Sequence, residues 1–92
     1  MEDKADDNIL VDVREDFEWT LRRIPGAELI SMGAIDAAIP RLSKIDTVYV
    51  HCQSGGRSSR ICTLLNGAGV NAVNVEGGIN AWERAGYEVV RG

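Results

Sequence analysis

Cys52 and Arg57 bracket the residues Gln53-Ser54-Gly55-Gly56, in a stretch that follows Thr47-Val48-Tyr49-Val50-His51 and leads into Ser58. A thiol at the end of an apolar, β-branched run and ahead of two glycines is placed for nucleophilic chemistry. Glycines let successive backbone N–H groups turn toward one point. A helix starting near Arg57-Ser58 adds its positive end to the same point. Cysteines in such fields ionise well below the usual ~8.5. A second sulfur carried on Cys52 would be an anion held among N–H donors. The spacing C-x4-R is one residue shorter than the C-x5-R loop with which cysteine phosphatases surround a tetrahedral phosphate, so it suits a single sulfur atom better.

The other reactive groups need weighing against Cys52. Cys62 falls inside the next helical stretch beside Ile61 and reads as a core residue; facing Cys52, it would be a resolving thiol. His51 adjoins Cys52, but strand alternation points it to the opposite face, against a role as general base. Arg57 has two open readings, one aimed at a substrate anion and one paired with a carboxylate such as Asp12 or Glu15. Arg60, one turn on, reads as a rim charge that draws in an anion. Gln53 and Ser54 shape the loop through their backbone, and neither adds charge. Trp82, and less clearly Trp19, reads as a core anchor.

These groups need a scaffold. Ile9-Leu10-Val11-Asp12-Val13 has the composition of a buried strand. A helix capped by Asp16 follows, with Phe17, Leu21 and Ile24 at helical spacing and Pro25-Gly26 as its stop. Ala27 to Ile30 is a short strand. Gly33 to Ile39 is weakly helical and should break at Pro40, leaving a turn through Arg41 to Lys44. Thr47 to His51 is a strand. A helix over Ser58 to Leu65 carries Ile61, Leu64 and Leu65 on its apolar side and ends at Asn66-Gly67. Ala72 to Val75 is a strand, Gly77-Gly78 a turn, Ile79 to Arg84 a helix, and Val89-Val90 a last strand. Alternating strands and helices predict an α/β fold: a parallel sheet of four to five strands, helices on both faces, and Cys52 at the carboxyl edge where such sheets hold ligands.

With 92 residues, 45% of them hydrophobic, the chain suffices for one domain, read as residues 9–92 behind a polar lead-in at 1–8. Two cysteines and one histidine offer neither a disulfide framework nor a metal set, and no cofactor is implied. A net charge of −4 without a basic block argues against nucleic acid, and no apolar run reaches membrane-spanning length. The acidic opening Met1-Glu2-Asp3 is unlike a signal peptide, which predicts a cytoplasmic location.

Four segments together resemble the rhodanese-like family: Leu10-Val11-Asp12-Val13-Arg14-Glu15, Arg23-Ile24-Pro25-Gly26-Ala27, Cys52 to Ser58, and Glu76-Gly77-Gly78-Ile79-Asn80-Ala81-Trp82. Each is weak alone; their order and spacing, covering roughly residues 9 to 90, make the resemblance specific. It looks most like the single domains fused to enzymes that adenylate ubiquitin-like sulfur carriers. The resemblance implies a rhodanese-type sulfurtransferase, of the thiosulfate:cyanide kind, in which Cys52 is the catalytic residue and forms a persulfide. Gln53, Ser54, Gly55, Gly56, Arg57 and Ser58 would then form the substrate-binding loop, and Asp12 and Arg14 would fasten the first strand. The implied partners are a small anionic donor such as thiosulfate and a protein sulfur donor or acceptor. A different reading is a non-enzymatic sulfur relay or docking module, favoured by the uncharged Gln53. Two departures stand out. Members usually have a strand and short helix ahead of the first segment, where here only the acidic stretch Met1–Asn8 stands, so that edge is truncated or irregular, or the chain is excised from a larger protein. Arg22-Arg23 stands where many members have Gly-His.

Overall fold

The computed structural model describes residues 5–92, the side chains of 5 and 6 excepted. Its elements in chain order are β1 (Ala5–Asp12), α1 (Asp16–Leu21), β2 (Arg22–Arg23), β3 (Glu28–Leu29), α2 (Ile35–Leu42), β4 (Ile45–His51), α3 (Gly56–Gly67), β5 (Ala72–Asn74), α4 (Gly78–Arg84) and β6 (Val90–Arg91). A four-stranded parallel sheet runs β3-β1-β4-β5. The expected final strand does form, but as β6 it pairs antiparallel with β2 in a separate two-stranded ribbon. The chain moves one way along the sheet from β1 to β3, then back past β1 to β4 and on to β5. Right-handed crossovers therefore place α1 on the face opposite α2 and α3.

The α2/α3 face holds the main core. Val11, Val48, Val50, Leu42 and Leu65 are fully buried there with Ile35, Ile61 and Cys62, each large aliphatic side chain contributing roughly 1.5–3 kcal/mol. The opposite face is closed only toward the carboxyl ends of the strands, where Asp12 and His51 are buried. Farther back, Tyr49, register partner of both Leu10 and Val73, is 38% exposed, and Val73 is 42% exposed.

Four expectations change. β1 starts at Ala5 rather than Ile9, because backbone pairing of Ala5 with Ile45 and Asn8 with Thr47 recruits polar residues into the strand, with a register shift between them; Met1 to Lys4 of the expected lead-in lie outside the described residues. Pro40 sits inside α2 instead of ending it. Asp36, whose carbonyl loses its partner, is solvent-exposed, while Leu42 anchors the last turn in the core. The buried stripe of α3 runs through Ser58, Ile61, Cys62 and Leu65, leaving Leu64 43% exposed. Finally, α1 buries no residue at all. Its cap is Glu15, through a reciprocal box with Glu18, not Asp16.

Candidate functional site

β4 delivers Cys52 to the sheet's carboxyl edge, where it is 1% exposed. Gly55 then takes φ = 107°, a conformation side chains resist, and α3 begins at Gly56. This turn folds the loop back over Cys52. The Gly55 amide donates to Sγ at 3.1 Å, the Ser58 amide at 3.4 Å, and the Ser58 hydroxyl lies 3.4 Å from it. Burial pushes the Cys52 thiol up, but the Ser58 hydroxyl and the amides of Ser58, Gly55 and Ser54 outweigh it, and the net direction is down. The expectation that amides hold the sulfur is thus modified, since one side chain, Ser58, takes part. Among the described residues, the amides of Gln53, Gly56 and Arg57 have no hydrogen-bond partner within the protein; those of Gly56 and Arg57 are orphan donors of the first helical turn.

Arg57 turns to a carboxylate, and the carboxylate is Glu18. Its two terminal nitrogens reach Oε1 and Oε2 at 2.8 and 2.9 Å, joining α3 to α1. The fork holds Glu18 down to about 2 and raises Arg57 further. Neither carboxylate expected from the sequence could serve. Asp12 is committed to Arg14, in a fully buried pair with nitrogen–oxygen distances of 2.9–3.1 Å, and Glu15 caps α1. Arg14 also donates to the Arg22 carbonyl, so the pair ties β1 to β2.

His51 faces away from Sγ. Nδ1 lies 3.1 Å from the Cys52 carbonyl and Nε2 3.6 Å from Asp12 Oδ2, without a hydrogen bond at Nε2. Both nitrogens look at oxygen, and a neutral imidazole has one proton to offer them. Burial lowers His51, against the pull of Asp12. Cys62, on the buried stripe of α3, is pushed up by burial and makes no hydrogen bond with Cys52.

Comparison with known proteins agrees with this geometry. The family model for the rhodanese-like domain matches residues 1–85. YtwF of Bacillus subtilis (strain 168), assigned as a sulfurtransferase, is 46% identical over 82 residues, covering 87% of this chain and 79% of that protein. The chain belongs to the rhodanese-like family. MoeZ of Mycobacterium tuberculosis, assigned as an adenylyltransferase/sulfurtransferase, is 35% identical over 78 residues, which are 82% of this chain and 20% of that protein. The crystal structure of a rhodanese-related protein from Thermoplasma volcanium superposes with a TM-score of 0.82 at 34% identity, covering 90% of this chain and 83% of that one. Membership of this family and the likeness to the sulfurtransferase relatives support a sulfur-transfer role in its general sense.

Two parts of the rhodanese-like site had little signal in the sequence. Asn74, at the end of β5, accepts from the Ser58 hydroxyl at 2.5 Å and its amide nitrogen reaches the Gly55 carbonyl at 3.5 Å, tying the middle of the loop to its end. The turn Gly77-Gly78 backs the loop from behind. The amides of Ile79 and Asn80 donate to the carbonyls of Cys52 and Gln53 at 3.0 and 3.1 Å. A Cβ on Gly78, at φ = 58°, would meet those carbonyl oxygens at 2.4 and 2.5 Å. The Gly-Gly doublet was legible as a turn, but its contact with residues some twenty-five positions earlier was not. Trp82 is no core anchor; half-buried, it stacks on Tyr87 and donates to the Glu88 carbonyl at 2.8 Å, pinning the C-terminal segment.

Proposed function

We propose that Cys52 carries sulfane sulfur as a persulfide and passes it to an acceptor. The Cys52 thiolate attacks the outer sulfur of thiosulfate, the S–S bond breaks, and sulfite leaves with the electron pair; with a protein persulfide as donor, a thiolate leaves instead. The new outer sulfur is an anion, and a thiolate or cyanide removes it, returning Cys52 to thiolate. The observation that carries this reading is the loop's surplus of donors. The Gly55 and Ser58 amides hold Sγ, and those of Gln53, Gly56 and Arg57 remain for one more sulfur. Gln53 to Ser58 thus form the binding loop, acting mainly through backbone. A reducing compartment such as the cytoplasm suits its two free thiols.

The test is intact mass after incubation with thiosulfate. Wild type is expected to gain one sulfur, mapped to Cys52, and Cys52→Ala to gain none; equal gain by both refutes the assignment. A second reading, sulfur relay rather than turnover enzyme, draws on the commitment of Arg57 to Glu18 and the neutrality of Gln53, which leave the loop's own arginine already paired. Persulfide formation with negligible thiosulfate:cyanide turnover is its expected signature.

A further inference from the structure

Helix α1 breaks the ordinary rule that an amphipathic helix turns its apolar side inward. Phe17 and Leu21, one turn apart, are 65% and 67% exposed, the two most exposed large hydrophobic residues among those described. Polar contacts fasten the helix instead: the Glu15/Glu18 box, the Glu18–Arg57 fork and the stacking of Arg23 on Trp19. These contacts fix Phe17 and Leu21 on the wall of a groove of about 280 Å³, whose lining also includes Gln53, the neighbour of Cys52. The lining also includes Arg22 and Arg91, two guanidiniums sharing the single carboxylate of Glu83. The carboxylate on the α1 side, Glu18, is already neutralised by Arg57. In a chain of net charge −4, the groove therefore joins an apolar wall to an excess of positive charge beside the loop. Thiosulfate has no use for such a wall, whereas a peptide segment has.

We propose that this groove docks an extended segment of the protein that exchanges sulfur with Cys52, one that lays an apolar side chain on Phe17 and Leu21 and a carboxylate beside the guanidiniums of Arg22 and Arg91, which share only Glu83. The proposal rests on the sulfur-transfer reading above. In the transfer, a thiolate borne by that segment attacks the outer sulfur of the Cys52 persulfide. The Sγ–S bond breaks, Cys52 leaves as thiolate, and the segment carries away the persulfide.

The test uses the whole chain, first loaded with thiosulfate and verified by intact mass. Sulfur transfer is then timed to three probes: an amidated peptide Cys-Gly-Leu-Asp, its polar counterpart Cys-Gly-Ser-Asn, and dithiothreitol. Wild type is expected to favour the apolar acidic peptide over the polar one by about tenfold. The pair Phe17→Ser with Leu21→Ser is expected to lose that preference while loading with thiosulfate and reacting with dithiothreitol as wild type does. Arg91→Gln is expected to weaken transfer to the acidic peptide alone. Equal rates for both peptides in wild type, or a preference that survives the double substitution, overturns the docking proposal while leaving persulfide formation standing. A Cys52 that takes up no sulfur removes the underlying reading and the docking proposal with it, and the mass measurement reports this before any peptide is added.

Discussion

Cys52 and Cys62 are the same side chain, both buried, at 1% and 7% exposure, and ten positions apart. Their thiols nevertheless move in opposite directions, Cys52 down and Cys62 up. Burial opposes the thiolate at both. The difference is the donor set. Around Cys52 the loop stops repeating and its N–H groups converge on one atom; Cys62 sits within α3, where backbone amides are spent on helical hydrogen bonds. The lowered thiol here is made by backbone that has left regular structure, and the raised one by backbone that has stayed in it.

That contrast can be broken by experiment. The largest effect expected is in alkylation. At pH 6 iodoacetamide should modify Cys52 faster than Cys62 by on the order of a hundredfold, and comparable rates by peptide mapping would mean that the donors do not outweigh burial. His51 sharpens the comparison from the other side, as a buried group surrounded by acceptors. Its pKa is lowered in the folded state, so as pH falls below about 6.5 the unfolded chain takes up a proton that the folded chain refuses. Stability should therefore fall with acidification in that window, by no more than about 1.4 kcal/mol per pH unit. Denaturation at pH 7.5 and 5.5 should show the loss in wild type and a smaller one in His51→Gln; identical pH dependence would show that His51 protonates freely in the fold. Glu18 contributes in a separate window, below 4.5, as its carboxylate is held down to about 2. The smallest effect is expected for Ser58→Ala, which removes one of the donors to Sγ. A loss of about 1 kcal/mol of thiolate stabilisation corresponds to about a fivefold drop in Cys52 alkylation rate at pH 6. An unchanged rate would assign the lowered thiol to the amides alone.

Much of this was legible in residue types. The branched run ending at His51, the glycines after Cys52 and the four-residue spacing to Arg57 identified the nucleophile candidate and the loop that holds it, because strand, turn and helix start are local preferences. The apolar pattern of α1 misled, since Phe17 and Leu21 have helical spacing but the helix is fastened by the Glu18–Arg57 ion pair and the stacking of Arg23 on Trp19. Pro40 misled as well, because a helix tolerates a missing hydrogen bond when the freed carbonyl meets water and the following turn is held by Leu42.

The sequence by itself determined the order of elements, the parallel sheet, the burial of Cys62 and the placing of Cys52 at the sheet's carboxyl edge. These follow from periodicity, glycine and proline, all of which act over a few residues. The tertiary structure alone decided that Arg57 pairs with Glu18 rather than Asp12 or Glu15, that Asn74 and Gly78 support the loop, and that Phe17 and Leu21 wall a groove beside Gln53. Each of these joins residues distant along the chain, and which carboxylate meets which guanidinium depends on how helices cross the sheet. For the same reason, residue types revealed what Cys52 could carry, while the groove beside Gln53 emerged only with the fold.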